Sequence, residues 1–103
     1  MKNKIILMLP FIFFSHLNYA ACVQNNNKLT GLVGLDSSSG NIYANLSSTS
    51  NECSCSYVRF KETSTDTNKT LSILLAAKMA DKKVRVDISD ENSCDTGYRV
   101  YVQ

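Results

Sequence analysis

Four cysteines, Cys22, Cys53, Cys55 and Cys94, constrain the fold of this chain more than any other feature. They all lie in residues 21–103, a stretch so small that a hydrophobic core alone stabilises it weakly and covalent links are common. In an exported chain of this length, an even number of cysteines predicts two disulfides. The alternative, a zinc site of four thiolates, normally uses paired C-x-x-C segments, whereas this chain has one C-x-C and two isolated cysteines. We therefore expect disulfides and no metal site.

The beginning of the chain has the pattern of a cleavable secretory signal. Lys2 and Lys4 precede an apolar run over residues 5–14, and a short polar stretch then ends in two alanines, the first of which is Ala20. The apolar run contains a proline and is far shorter than the roughly 20 residues of a membrane-spanning helix. We expect cleavage after Ala20, because a cut one residue later would put a tyrosine where a small side chain is preferred. The product, residues 21–103, is expected to be one secreted or periplasmic domain without stable membrane insertion.

Removal of this segment also changes the charge of the protein. The full chain has 11 Lys and Arg residues against 9 Asp and Glu residues, and the segment contains two of the basic residues and none of the acidic ones. The mature domain is therefore nearly neutral. Nucleic-acid-binding domains are usually strongly basic, so no nucleic-acid partner is expected.

The residues required for most catalytic mechanisms are missing from the expected mature domain. Its sequence has no histidine, because His16 lies in the signal segment, and serine or cysteine nucleophiles mostly need an imidazole base. Acid–base catalysis by carboxylates is the alternative. Its candidates, Asp87, Asp90, Glu91 and Asp95, surround one loop, where such residues are ordinarily solvated. We therefore expect a protein that is not an enzyme and uses no cofactor.

Alternation of apolar and polar residues predicts five short strands. The polar, Asn-rich residues 24–28 are interpreted as a leader into the fold rather than as a strand. The predicted strands span the following residues: 29–35, 42–46, 57–61, 84–89 and 98–103.

One helix is predicted between the third and fourth strands, over residues 69–82. Leu71, Leu74, Leu75 and Met79 recur at helical spacing, which predicts an amphipathic helix with these residues on its buried side. The preceding linker offers three candidate N-caps, which are Asp66, Thr67 and Asn68.

This order of elements is the connectivity of the OB-fold, a five-stranded Greek-key barrel. In that barrel the third and fifth strands are parallel neighbours, and Cys55 and Cys94 shortly precede them. A disulfide needs Cα atoms within about 7 Å, so the fold favours a Cys55–Cys94 bridge. Cys22 would then pair with Cys53. Because Cys53 and Cys55 are so close in sequence, they could also exchange partners.

The segment from Lys69 to Val86, together with Cys94 and the run Tyr98-Arg99-Val100, resembles a known group of proteins. The group comprises small secreted bacterial proteins similar to the B subunit of subtilase cytotoxin. They share the OB-fold of the pentameric receptor-binding subunits of AB-type toxins, such as cholera and pertussis toxins. The resemblance implies a non-catalytic subunit that forms a homopentamer, binds a toxin A subunit and recognises cell-surface glycans, sialylated or other.

Candidate ligand-binding residues lie in the loop after the first predicted strand and on the next two strands, where OB-folds commonly bind saccharides. Tyrosine rings fit the C–H faces of sugars, and short polar side chains bind their hydroxyls. The candidates are Ser37, Ser38, Ser39, Asn41, Tyr43 and Tyr57. The alternative is that tyrosines and arginines on these strands merely form cross-strand surface pairs.

Small residues on the predicted helix suggest an oligomer contact. Ser72, Ala76 and Ala80 follow one another at intervals of one helical turn and would form a flat strip. The strip would accept a neighbouring helix in an oligomer, or it would let the helix lie close on its own barrel. A second hypothesis for function is a periplasmic or extracellular protein-interaction or enzyme-inhibitor domain without glycan binding.

Overall fold

A computed structural model describes residues 20–47 and 53–103 and shows a mainly β domain with one helix. The elements are β1 (Cys22–Lys28), β2 (Val33–Leu35), β3 (Ile42–Asn45), β4 (Tyr57–Phe60), α1 (Thr67–Met79), β5 (Lys83–Ile88) and β6 (Gly97–Val102). The predicted signal peptide lies outside the described residues except for Ala20. Within the described part of the chain, no helix has the length and apolarity that crossing a bilayer requires.

The strands form one mixed sheet in the order β1-β5-β6-β4-β3-β2. All neighbours are antiparallel except β4 and β6, which run parallel and share the pair Phe60 and Gly97. The predicted position of the helix is confirmed, because α1 lies between the strands predicted as the third and fourth. The predicted count of five strands is wrong, since the described residues form six. The sheet is also not closed, because no pairing joins β1 to β2 among the described residues.

The strand that the sequence did not predict is β1, whose residues were interpreted as a polar leader into the fold. It pairs with β5, and its inward positions are occupied by Gln24 and Asn27, both fully buried. The register shifts between these two residues, and Asn26 within the bulge has a φ of 60°, a conformation that Asn tolerates better than most residues. An apolar alternation is therefore absent from a strand that nevertheless faces the core.

The core lies between the sheet and α1. Its buried apolar residues are Cys22, Leu29, Ile42, Ala44, Leu46, Cys53, Cys55, Val58, Phe60, Leu74, Ala77, Val84, Val86 and Ile88. The inward residues of β3, β4 and β5 are those that strand periodicity predicts. Gly97 lets β6 approach β4 closely, because a Cβ atom there would lie 2.5 Å from Cγ2 of Val58. Residues larger than glycine would separate the two parallel strands.

The helix begins where Asp66, one of the three candidate caps, accepts a hydrogen bond from the backbone N–H of Lys69 at 3.1 Å. Its buried side differs from the predicted one. Leu74 is buried as expected, but it is accompanied by Thr70 and Ala77, while Met79 is 86% exposed. The apolar residues of α1 therefore lie on two opposite sides of the helix.

The two disulfides join Cys22 to Cys53 and Cys55 to Cys94, with Cα separations of 5.6 and 5.9 Å. The Cys55–Cys94 bridge links the start of β4 to the loop before β6, and the backbone N–H of Arg59 donates to the Cys94 carbonyl at 3.0 Å. Two disulfides in so small a domain indicate an oxidising environment, extracellular or periplasmic.

Candidate functional site

The outward side of the β3–β4 hairpin carries four polar or aromatic residues, Tyr43, Asn45, Tyr57 and Arg59, which we call the β3–β4 face. They alternate with the core residues of the same two strands. The register places Tyr43 opposite Arg59 and Asn45 opposite Tyr57, so the two tyrosines are diagonal neighbours. The predicted site residues Tyr43 and Tyr57 are thus brought together.

The two tyrosine rings are stacked, with their centroids 5.4 Å apart and their planes inclined by 13°. The Arg59 guanidinium carbon lies 5.5 Å from the Tyr43 centroid and 5.4 Å from the Tyr57 centroid, within the range of a cation–π contact. The Asn45 amide donates to the Tyr43 hydroxyl at 3.0 Å. Each ring therefore has a fixed orientation, which a sugar-stacking surface requires.

Two carboxylates hold Arg59 in this position. Its Nε donates to Asp36 at the end of β2, and its Nη1 donates to Asp95 in the loop before β6. Asp95 also accepts a hydrogen bond from the Tyr57 hydroxyl at 3.1 Å. One guanidinium thus faces two carboxylates, and the β3–β4 face is locally acidic.

These contacts also perturb two ionisation equilibria. The pKa of Tyr57 is raised above its ordinary value of 10.0, first by burial and then by the hydrogen bond to Asp95 and its charge. The hydrogen bond with Asp36 raises the pKa of the Arg59 guanidinium. Tyr57 is therefore neutral and Arg59 is charged under all ordinary conditions.

A surface groove of about 290 Å³ adjoins the ring stack. It is lined by Leu32, Val33, Gly34, Leu35, Asp36 and Tyr43. Gly34 pairs directly with Tyr43, and no atom lies within 4 Å of the position that a Cβ atom of Gly34 would occupy. The absence of a side chain at Gly34 leaves an open slot beside the Tyr43 ring.

The predicted hydroxyl loop lies at the end of this groove, but its residues are not all available to a ligand. Ser37 and Ser39 share a hydrogen bond between their Oγ atoms at 2.8 Å, while Ser38 is exposed. Asn41 accepts from the backbone N–H of Glu62 at 3.3 Å through Oδ1, so its side chain supports the turn. The loop reaches the tyrosines through Asp36, which the sequence did not single out.

A second polar cluster lies on the outward side of β5 and β6, formed by Arg85, Asp87, Arg99 and Tyr101, which we call the β5–β6 face. Asp87 was expected to be a solvated residue, but its side chain is only 1% exposed. Its carboxylate accepts from Arg85 Nε at 2.8 Å and from Arg99 Nη2 at 3.0 Å. Here two guanidiniums face one carboxylate, which is the opposite balance to that of the β3–β4 face.

The four carboxylates considered for acid–base catalysis have separate partners. Asp87 pairs with arginines on the β5–β6 face, and Asp95 pairs with Arg59 on the β3–β4 face. Asp90 accepts from a backbone N–H within its own loop, and Glu91 is exposed. In residues 20–47 and 53–103, no group of three or more His, Cys, Asp or Glu residues is arranged to hold a metal ion.

The predicted helix strip of Ser72, Ala76 and Ala80 is fully on the solvent side of α1. It lies opposite Thr70, Leu74 and Ala77, so it does not serve to bring the helix close to its own sheet. Met79 and the partly exposed Leu75 flank the strip.

Sequence reasoning missed the residues that organise the β3–β4 face. The two carboxylate partners of Arg59 come from the residue after β2 and from the β5–β6 loop, far away in sequence. Gly34 was not singled out either. Its position opposite a candidate tyrosine in the hairpin register is the signal that indicates the open slot.

Comparison of the chain with protein-family models, with curated proteins and with solved structures finds no match. The functional argument therefore depends on the geometry of the two faces and of the groove.

Proposed function

We propose that this protein is an exported, non-catalytic binding module that recognises cell-surface glycans through the β3–β4 face and the adjoining groove. The observation that carries the proposal is the position of Tyr43. Its ring is oriented by the stack with Tyr57 and also forms part of the groove wall beside the open slot at Gly34. A sugar ring in the slot would contact Tyr43, and its hydroxyls would reach Asp36 and Ser38.

The charge of the site favours a neutral sugar. Asp36 and Asp95 outnumber Arg59, and both carboxylates are about two-thirds shielded from solvent. A carboxylated sugar such as sialic acid would be repelled at this position, whereas carboxylates are good acceptors for the hydroxyls of a neutral hexose. Of the two glycan classes that the sequence suggested, the neutral one is proposed for this site.

An OB-type barrel is the fold that we propose to underlie this site. Strands β2 to β6 follow the sheet order expected for its five strands. The additional strand supports the interpretation, because β1 and β2 are consecutive in the chain, β1 pairs with β5 and β2 pairs with β3. The two would be halves of one bent first strand, interrupted at residues 29–32.

Self-association through α1 is part of the same proposal. A ring of identical subunits, as in the toxin B subunits that the sequence resembles, would cover the helix strip and Met79. The exposure of these apolar residues on the solvent side of α1 supports such a contact. A homopentamer and an associated toxin A subunit follow from the resemblance alone.

A glycan array probed with purified, folded protein tests the proposed function. We expect binding to glycans that end in neutral hexoses, and loss of that binding in the Tyr43→Ala variant. The Lys82→Ala variant truncates an exposed side chain just beyond the end of α1, outside both faces, and is the control. Absence of binding above background, with folding confirmed by circular dichroism, would overturn the proposal.

The alternative function, a protein-interaction or inhibitor domain, is favoured by one observation. Leu32 and Leu35 are 73% and 67% exposed beside β2, which lies at one end of the sheet order. An exposed edge strand with apolar side chains is a common docking surface for another chain. A monomeric mass, together with a stable complex recovered from host secretions and no glycan binding, would favour this function.

A further inference from the structure

The β5–β6 face has an excess of positive charge that is held in a fixed arrangement. The side chain of Asp87 is buried, while those of Arg85 and Arg99 are 39% and 53% exposed. The buried Asp87 carboxylate therefore orients the two guanidiniums from the protein side and leaves their solvent-facing sides accessible. Because one negative charge meets two positive charges, the cluster keeps one uncompensated positive charge.

Several donors of the two guanidiniums are unused. Arg85 donates to Asp87 through Nε and Nη2, and Arg99 uses Nη2 for both Asp87 and the Tyr98 hydroxyl. Within the described ranges of the chain, Arg85 Nη1 and Arg99 Nε and Nη1 contact no protein acceptor. The open donors Nε and Nη1 of Arg99 lie on different edges, so an oxyanion at this face would accept single hydrogen bonds from the two arginines rather than a bidentate pair from one.

Aromatic rings accompany both guanidiniums. The Arg85 guanidinium carbon lies 5.0 Å from the Tyr101 centroid, and that of Arg99 lies 4.8 Å from the Tyr98 centroid. The rings restrict the arginine side chains and provide apolar surface beside the charge. The arrangement therefore combines an oxyanion donor set with flat surfaces that suit a sugar ring.

The face continues into a groove of about 220 Å³ between β6 and the start of α1. Its walls include Thr65, Lys69, Tyr98, Arg99 and Tyr101. Asp66 and Lys69 also line the groove, and because Lys69 Nζ lies 3.7 Å from the Asp66 carboxylate, this pair adds no net charge at the rim. A groove of this volume is large enough for about one sugar residue.

We propose that the β5–β6 face and this groove form a second binding site, which takes the carboxylate or sulfate group of an acidic saccharide. Arg99 Nε and Arg85 Nη1 each donate one hydrogen bond to the oxyanion, and the sugar ring lies against Tyr101. Asp87 is a positioning residue, because it holds both guanidiniums without contacting the ligand.

The size and charge of the site favour an acidic saccharide over a nucleic acid. Single-stranded nucleic acids are bound along a basic track of several nucleotides. Here the uncompensated positive charge comes from Arg85, Arg99 and the exposed Lys83, which lies on the same side of β5, and the described chain outside this area is not basic overall. A single acidic sugar needs only one oxyanion contact and one flat surface.

Titration of isotopically labelled protein, followed by NMR and calorimetry, tests the proposal. The probes are sialyllactose, a chondroitin sulfate tetrasaccharide, lactose, inorganic sulfate and oligothymidylate. We expect the two acidic saccharides to bind with an affinity that falls as salt is added, and to shift the Arg99 Nε–H resonance. Lactose and inorganic sulfate alone are expected to bind at least about tenfold more weakly, since each lacks one half of the recognised group.

Two charge-matched variants complete the test. Arg99→Gln is expected to weaken binding of the acidic saccharides by about tenfold or more. Lys82→Gln removes the same charge from the far end of α1 and is expected to bind as the parent protein does. If Arg99→Gln fails to fold, the test depends on the parent protein alone: a shift of the Arg99 Nε–H resonance on binding supports the proposal, and binding without that shift overturns it.

Three outcomes would overturn the proposal. They are equal affinities of the Arg99→Gln and Lys82→Gln variants, tighter binding of oligothymidylate than of either acidic saccharide, and binding of acidic saccharides without a shift at Arg99. Because this site shares no residue with the β3–β4 face, the Tyr43→Ala variant should still bind acidic saccharides. Failure of one site is thus distinguishable from failure of the other.

Discussion

The side-chain amide of Gln24 forms two hydrogen bonds with the backbone of Cys55: its Nε2 donates to the Cys55 carbonyl, and the Cys55 N–H donates to its Oε1 at 2.9 Å. Gln24 is fully buried and lies in β1 two residues after Cys22, which the Cys22–Cys53 disulfide fastens at the same end of the strand. One amide thus takes the place of a pair of backbone hydrogen bonds between two segments that are not neighbouring strands.

Replacing this amide is expected to cost more stability than the size of the change suggests. Gln24→Leu leaves the N–H and the carbonyl of Cys55 buried without these partners, and each such group costs about 1–3 kcal/mol. We expect the free energy of unfolding, measured with urea, to fall by about that amount or more. Asn92→Leu, which also replaces an amide by an apolar side chain but in an exposed turn, should lie within about 0.5 kcal/mol of the parent protein. Equal stabilities of the two variants would show that the Gln24 contacts are not important.

The buried Gln24 also explains where sequence reasoning failed. Strand periodicity identified β3, β4 and β5, because their inward residues are apolar and alternate, and it also located β6, although Val102 there is 50% exposed. It could not identify β1, because the inward side chains there are polar: Gln24 bonds to the distant backbone of Cys55, and Asn27 donates to the Gln24 carbonyl within the bulge. These partners are known only when the fold is known.

The residues of the candidate site were also predictable from the sequence only in part. Tyr43 and Tyr57 could be predicted from the sequence, since alternation places them on the outward side of adjacent strands. Their carboxylate neighbours could not, because Asp36 and Asp95 meet at Arg59 only after three separate segments have assembled. For the helix, the spacing of leucines was compatible with either side being buried, and packing of Ala77 against the sheet decided between them.

Filling the slot at Gly34 should separate binding from stability. A valine at this position meets no atom within 4 Å of its Cβ and suits a strand better than glycine does. We therefore expect Gly34→Val to melt at the same temperature as the parent protein or higher, while glycan binding is lost. Retained binding on the array would mean that the groove beside Tyr43 is not the site.

The raised pKa of Tyr57 predicts a loss of stability in alkaline solution. The unfolded chain loses the Tyr57 proton near pH 10.0, whereas the folded protein retains it to higher pH. The stabilising contribution is therefore complete below pH 10.0 and is lost as pH rises through the folded pKa. Melting temperatures measured across this range should fall more steeply for the parent protein than for Tyr57→Phe. Parallel curves would contradict the assignment.

The two disulfides are expected to contribute similarly to stability. Their cysteines are 31 and 39 residues apart, for which the chain-entropy estimate is about 4 kcal/mol in each case. Paired serine variants, Cys22→Ser with Cys53→Ser and Cys55→Ser with Cys94→Ser, should therefore unfold at similarly reduced urea concentrations. Hydrogen exchange should distinguish them, with β4 and β6 losing protection in the second variant only.

The helix strip offers a direct test of self-association. Ala76 is exposed on α1, so Ala76→Arg is expected to leave the melting temperature of the isolated subunit nearly unchanged. If identical subunits pack through this strip, the variant should sediment as a monomer under conditions in which the parent protein is an oligomer. Lys61→Ala, an exposed change after β4 and away from the helix, should sediment as the parent does.

The single parallel pairing between β4 and β6 divides the sheet into two antiparallel groups of strands, one containing each candidate binding face. Apart from Phe60 and Gly97, the contact depends strongly on the Cys55–Cys94 link and on the interactions of Asp95. A reducing cytosol would therefore weaken the contact between β4 and β6, on which the relative position of the two proposed binding sites depends. Joint binding by the two proposed sites would therefore require the oxidised protein.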